Sequence, residues 1–228
     1  MEFQFRLAGI PVQVSLLFFL IVYLLGPRGE GPALLVLWAV LAFVAVLAHE
    51  MGHALVARRF GQAPRIELYG MGGVTWWRPT REMSAGQRIA VAGAGPGIGV
   101  TLGSLAWLAG RASGAHDDAG LAAAALTMFV YVNLGWGLFN LLPMLPMDGG
   151  AIVSAALEGL LGPPGRTVAR IVSITCALIA ALLLALGGLY IGAVLCLFFA
   201  YTNVQGLRAD RTAPPAVPPT APADLKEP

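Results

Sequence analysis

Two imidazoles and a carboxylate lie close together in His49-Glu50-Met51-Gly52-His53, inside the apolar run Pro32–Ala57. On a helix, residues i and i+4 share one face, so both histidines can bind a single zinc ion. Glu50 stands beside them and can act as a general base toward a water activated at the metal. The preceding residues, Ala33–Ala48, carry no charge. Ionisable groups in so apolar a helix are costly and point to a functional reason. The chemistry implied is metal-assisted hydrolysis at membrane depth.

The elements that must position these groups are membrane helices. Of 228 residues, 57% are hydrophobic and 11% charged, with mean hydropathy +0.76. A soluble domain would carry about a quarter charged residues, so a soluble protein is excluded, and no basic patch suggests nucleic acid. Apolar stretches of spanning length predict six spans: Val12–Leu25, Ala33–Arg58, Ile89–Ala109, Leu121–Leu142, Val168–Leu186 and Leu189–Leu207. Gly187-Gly188 between the last two predicts a tight helical hairpin. The fold class is therefore an all-α polytopic membrane protein, with a small membrane-associated β-hairpin or sheet after the second helix. Residues 1–207 form the six-span domain. Residues 208–228, rich in proline and without an apolar run, form a disordered tail.

With the N-terminus cytoplasmic, twelve basic residues fall inside, among them Arg58, Arg59, Arg65, Arg78, Arg81 and Arg88. Only Arg28 and Arg111 fall outside. That bias places both termini in the cytoplasm. A cleaved signal peptide is the other reading of the first span, but Gly26–Gly31 lacks a small-x-small cleavage site. Before that span, the alternation near Met1–Val14 suggests a short strand or an irregular interfacial segment. Cys176 and Cys196 sit on different spans and read as buried small apolar residues.

Catalytic zinc usually takes three protein ligands and keeps a fourth position open. His116 lies in an external loop, Gly110–Gly120, and reads as a solvated surface residue. Asp148 is the better third ligand, in Asn140-Leu-Leu-Pro143-Met-Leu-Pro146-Met-Asp148-Gly149-Gly150. Its prolines must break the fourth helix, and broken backbone is tolerated at depth only inside protein or around a cavity. The alternative is that Asp148 caps a helix starting near Ala151. Depth favours a shared site. His49 precedes Arg58 by about 13 Å of helix, and Asn140 and Asp148 arrive at the same cytoplasmic half from the fourth span.

These residues resemble the site-2 proteases, integral-membrane zinc metalloproteases, in a minimal form without PDZ or CBS domains. His49–His53 matches HExGH, and Asn140–Gly149 matches N-x-x-P-x-x-P-x-D-G. Gly72-Gly73 resembles the family's glycine-rich strand segment, and Ala92-Gly93-Ala94-Gly95-Pro96 resembles its GP motif. The family often has a small polar residue three positions after that motif, where this chain has Gly99. The resemblance implies one zinc ion per chain, ligated by His49, His53 and Asp148, with Glu50 as the base. It implies that Asn140 holds the substrate backbone or the oxyanion; a helix-packing hydrogen bond is the alternative for that side chain.

The segment Pro64–Pro79 predicts two strands around Gly70-Met71-Gly72-Gly73. A substrate helix must unwind before cleavage, and an exposed sheet edge would capture the extended segment by strand addition. Trp76 and Trp77 suit an interfacial anchor. The glycines from Gly93 to Gly103 suit either close helix packing or a flexible strip beside the site. The function expected is intramembrane endoproteolysis of a membrane protein's transmembrane segment, either regulated cleavage or clearance of remnant signal peptides. The partners expected are that substrate and the bilayer. The alternatives are a proteolytically silent chaperone or regulator, which intact Glu50 argues against, and a metal transporter. Arginine-, alanine- and glycine-rich composition suggests a bacterial plasma membrane.

Overall fold

The computed structural model describes residues 2–27, 31–70, 72–114 and 120–212. His116 and the proline-rich segment from 213 onward lie outside the described residues. The chain opens with β1 (Glu2–Leu7) and β2 (Ile10–Ser15), joined by Ala8 and Gly9, both at positive φ. Such a two-residue turn matches the twist of an antiparallel pair. The short helix α1 (Leu16–Leu25) follows, and the Ser15 hydroxyl accepts from the Leu17 N–H at its start. Next come α2 (Pro32–Arg59), β3 (Ala63–Tyr69), β4 (Gly72–Arg78) and α3 (Ala85–Ser113). Ser84 and Gln87 begin α3 with a reciprocal capping box.

The chain continues through α4 (Leu121–Val130), a π-helical turn (Tyr131–Gly135) and α5 (Trp136–Asn140) as one apolar helix, Leu121–Asn140. After a turn, α6 (Asp148–Leu161), α7 (Pro164–Leu186) and α8 (Tyr190–Thr212) complete the described chain. Gly188, at positive φ, makes the tight turn expected between α7 and α8. Among the described residues, α8 runs to Thr212, so residues 208–212 of the expected tail are helical.

Among the described residues, five helices are long and apolar enough to cross a membrane: α2, α3, Leu121–Asn140, α7 and α8. The chain is a mostly helical, multi-pass membrane protein with a small sheet. The expected first span, Val12–Leu25, differs. It begins as strand β2 and ends as a ten-residue helix, about 15 Å long and half the hydrocarbon thickness. The composite still follows α2 from end to end. Arg58 donates to the Ala8 carbonyl, while Trp38 Nε1 donates to the Val22 carbonyl at 2.9 Å. From Trp38 to Arg58 the helix rises about 30 Å, so strand and short helix together match one membrane thickness. Of the six expected spans, five are helices of spanning length among the described residues, and the first is only partly helical.

The sheet order is β1-β2-β3-β4, with β2 parallel to β3 and the outer pairs antiparallel. Alternation puts Ile10, Val12 and Val14 on the same face as Ile66 and Leu68. That face is buried with Val46, Met51 and Ala54 of α2. A second apolar cluster joins Met144 to Ala177, Ala181, Cys196 and Phe199 of α7 and α8; Cys196 is buried as expected, whereas Cys176 is only partly buried. Outer faces remain apolar, as at Leu183, Leu186 and Ile191. A bilayer requires such a surface.

At the end of α6, Glu158 pairs with Arg88 of α3 at 2.9 Å and with Arg166 of α7 at 3.6 Å. Partial burial opposes its ionisation. Hydrogen bonds from Arg88 and Ser154, with the charges of Arg88 and Arg166, outweigh that and hold its pKa below the usual glutamate value.

Candidate metal centre

His49, Glu50 and His53 occupy the buried inner part of α2. His53 Nδ1 lies 2.7 Å from the Val91 carbonyl of α3. A carbonyl only accepts, so Nδ1 carries a proton, and in the neutral ring Nε2 is the nitrogen left with a lone pair to ligate. His53 Nε2 lies 3.1 Å from His49 Nε2. Both imidazoles also face Asp148, with His49 Nε2 to Oδ2 at 3.0 Å and His53 Nε2 to Oδ1 at 3.3 Å. The three donor groups thus converge within 4.8 Å of one another. Edges between ligands in a tetrahedral zinc site measure about 3.4 Å at the usual bond lengths. The donor set and its spacing fit zinc, and no other such cluster occurs among the described residues.

Asp148 opens α6 as its first residue, rather than capping a helix that starts at Ala151. Its carboxylate turns to the two imidazoles. Gly149 and Gly150 follow because any Cβ there would collide with the Leu141 and Met144 backbone, so α6 can pack directly on the broken segment. That segment is clamped from the C-terminal hairpin. Ser173 Oγ of α7 accepts the Leu145 N–H at 3.1 Å, and Asn203 Nδ2 of α8 donates to the Leu145 carbonyl at 2.8 Å. Asn203→Leu removes the only side-chain donor to that carbonyl among the described residues. It should cost roughly 1–3 kcal/mol and weaken zinc binding by loosening Asp148. Thermal melting with zinc titration in detergent checks this; an unaltered melt would refute the clamp.

Thr75 Oγ1 of β4 donates to Glu50 Oε2 at 2.7 Å and also lies 3.1 Å from the Glu50 carbonyl. Gly73, on the same face, gives the carboxylate room, since a Cβ there would fall 2.5 Å from Glu50 Cγ. The hairpin expected after α2 therefore lies directly on the proposed base. On the opposite side, Gly52 lets α3 approach: its Cβ would sit 2.7 Å from the Ala94 carbonyl oxygen. Gly95 covers the metal ligands themselves. Pro96, inside α3, leaves the Ala92 carbonyl four residues earlier without its helix donor, one residue after the Val91 carbonyl that meets His53. Packing explains Gly95, Gly99 and Gly103, whereas Gly97 faces open space.

Asn140 is buried, and its Nδ2 donates to the Trp136 carbonyl at 2.9 Å, within its own helix. Trp76 is exposed with the Arg65 guanidinium over its ring, and Trp77 is partly buried. Sequence reading missed Thr75, the Val91 carbonyl, Ser173 and Asn203. Polar side chains inside apolar spans were the available signal for the last two. Nothing local marks Thr75 or a backbone carbonyl.

Residues 109–186 match the model of peptidase family M50, a stretch that holds Asn140 and Asp148. The zinc metalloprotease homologue Rip3 of Mycobacterium tuberculosis is 36% identical over 172 residues, covering 67% of this chain and 42% of its own length. A zinc metalloprotease of Methanocaldococcus jannaschii is 31% identical over 159 residues, covering 68% of this chain and 44% of its own. The aligned parts thus span less than half of either relative. The solved structure of a site-2 protease from Methanocaldococcus jannaschii superposes with TM-score 0.64 at 27% identity, covering 91% of this chain and 96% of that one.

Proposed function

The chain belongs to the site-2 protease family, and on that premise we propose that it is an intramembrane zinc endopeptidase. Its substrates are membrane proteins with a transmembrane segment, single-pass proteins or remnant signal peptides. The observation that carries this reading is the convergence of His49, His53 and Asp148 beside Glu50. When bound, zinc supplies Lewis-acid polarisation of the scissile carbonyl and lowers the pKa of its water toward ~7. His49, His53 and Asp148 would hold it. Glu50 takes the proton from the attacking water and returns it to the leaving amine. The Thr75 hydroxyl fixes the rotamer in which Glu50 does so.

One N–H of the Asn140 amide is engaged by Trp136; the second suits a substrate carbonyl or developing oxyanion. β4 is an outer strand of the sheet and also the strand touching Glu50. An extended substrate added along its edge would therefore pass the base. Both termini face the cytoplasm of a bacterial plasma membrane in this reading, as the basic residues favour.

Purified protein in liposomes, given a single-pass substrate, is the test. A zinc chelator should stop cleavage, and added Zn2+ should restore it. Cleavage that persists after complete metal removal would sink the proposal. So would zinc flux across the liposomes in place of cleavage, which would favour the transporter.

A further inference from the structure

A metal-bound histidine usually donates its second ring N–H to a carboxylate, a carbonyl or water, which fixes the tautomer and aims the ligating nitrogen. His53 has such a partner in the Val91 carbonyl. His49 has none: its Nδ1 is buried without a hydrogen-bond partner among the described residues. Nε2 faces Asp148 and His53; with that nitrogen on the zinc, Nδ1 is the one left to carry the proton of the neutral ring. A buried donor in that state is unfavourable unless an acceptor reaches it.

A buried acceptor is also left over nearby. Asn133, 2% exposed, stands in the π-helical turn Tyr131–Gly135. Its Nδ2 donates to the Phe129 carbonyl at 2.9 Å. That bond fixes the amide orientation, because the reverse would set two oxygens against each other. Oδ1 therefore points away from Phe129, and it too lacks a partner. His49 and Asn133 line one narrow cavity with Gly99, Trp136 and Gly137. Gly99, where the family resemblance expects a small polar side chain, adds none. The π turn has its own effect, since the extra residue per turn shifts which side chains face inward.

We propose that Asn133 is a positioning residue of the metal centre: the two atoms line one cavity without being bonded in this structure, and with zinc on Nε2 its Oδ1 accepts the Nδ1 proton of His49. Asn133 then does for His49 what the Val91 carbonyl does for His53. It fixes the neutral tautomer and holds Nε2 on the zinc. The inference rests on the metal-centre reading above and adds a residue that the HExGH and N-x-x-P-x-x-P-x-D-G motifs do not contain.

The test is zinc affinity of the purified full chain, measured by competition with a chelating dye, for wild type, Asn133→Leu, Asn133→Asp and His49→Ala. Both Asn133 variants lose the bond to Phe129, and only the leucine loses the acceptor. Asn133→Leu should bind zinc roughly 10–100-fold more weakly, and Asn133→Asp should bind at least as tightly as wild type. The visible spectrum of the cobalt-substituted protein should shift for the leucine variant alone, a change that loss of packing would not produce. Equal weakening in both variants would assign Asn133 a structural role and overturn the inference. So would wild-type affinity in both. If His49→Ala loses zinc while the two Asn133 variants match, this inference alone fails. If His49→Ala binds zinc normally, the metal centre fails with it.

Discussion

Glu50→Gln is expected to bind zinc as the native protein does and to cleave a membrane substrate roughly 10²–10⁴-fold more slowly. Glu50 is not among the converging donors, which are His49, His53 and Asp148. Glutamine keeps the size and an acceptor oxygen for the Thr75 hydroxyl, which now lies 2.7 Å from Oε2. The space left by Gly73 accommodates an amide as well as a carboxylate. What disappears is a group able to take the proton from water. Metal analysis beside a cleavage assay separates the two properties, and membrane proteomics of cells carrying the variant should show accumulated membrane stubs. Undiminished cleavage with full zinc would remove Glu50 from the chemistry. Loss of zinc would make Glu50 a determinant of the metal site instead.

The second large effect is steric. Gly95→Ala would put a methyl group inside van der Waals distance of His53 Nε2 and 2.8 Å from His49 Nε2. Overpacking ordinarily costs about 1–3 kcal/mol as neighbours shift. Here the neighbours are the ligating nitrogens, and Val91 holds His53 from behind. The strain must therefore appear in zinc affinity, by about one to two orders of magnitude on that scale. Gly97→Ala is the matched control, two residues along the same helix with nothing within 4 Å of its added Cβ. It should bind zinc normally and melt no lower, since alanine favours a helix interior over glycine. Equal zinc affinity in the two variants would mean that α3 does not press on the ligands.

Much of the centre was legible because its signals are local. His49 and His53 lie one helical turn apart, so their shared face follows from helix geometry once the segment is helical. Asp148 needed the longer pattern from Asn140 to Gly149, whose prolines and glycines mark a broken helix and a close approach. The helical spans were legible from apolar length, since lipid leaves the backbone few ways to satisfy its hydrogen bonds. The first span misled for the same reason: apart from Gln13 and Ser15, Val12–Leu25 is apolar, and its mean hydropathy does not distinguish a strand from a helix. Pairing between β2 and β3, some fifty residues away, made its first part a strand.

By itself, then, the sequence marked His49 and His53 as candidate ligands, Glu50 as the proposed base and the membrane as surroundings, because short spacing and composition carry each of these, while Asp148 joined them through its longer family-like pattern. The tertiary structure decided what surrounds them. Thr75 reaches Glu50 only in the observed register of β4, and a slip by one residue would turn it to the opposite face. Gly95 lies on the histidines only because Gly52 lets α3 approach α2. Asn203 clamps Leu145 from 58 residues away. Such contacts depend on how packed helices and strands meet, and a spacing along the chain does not encode that.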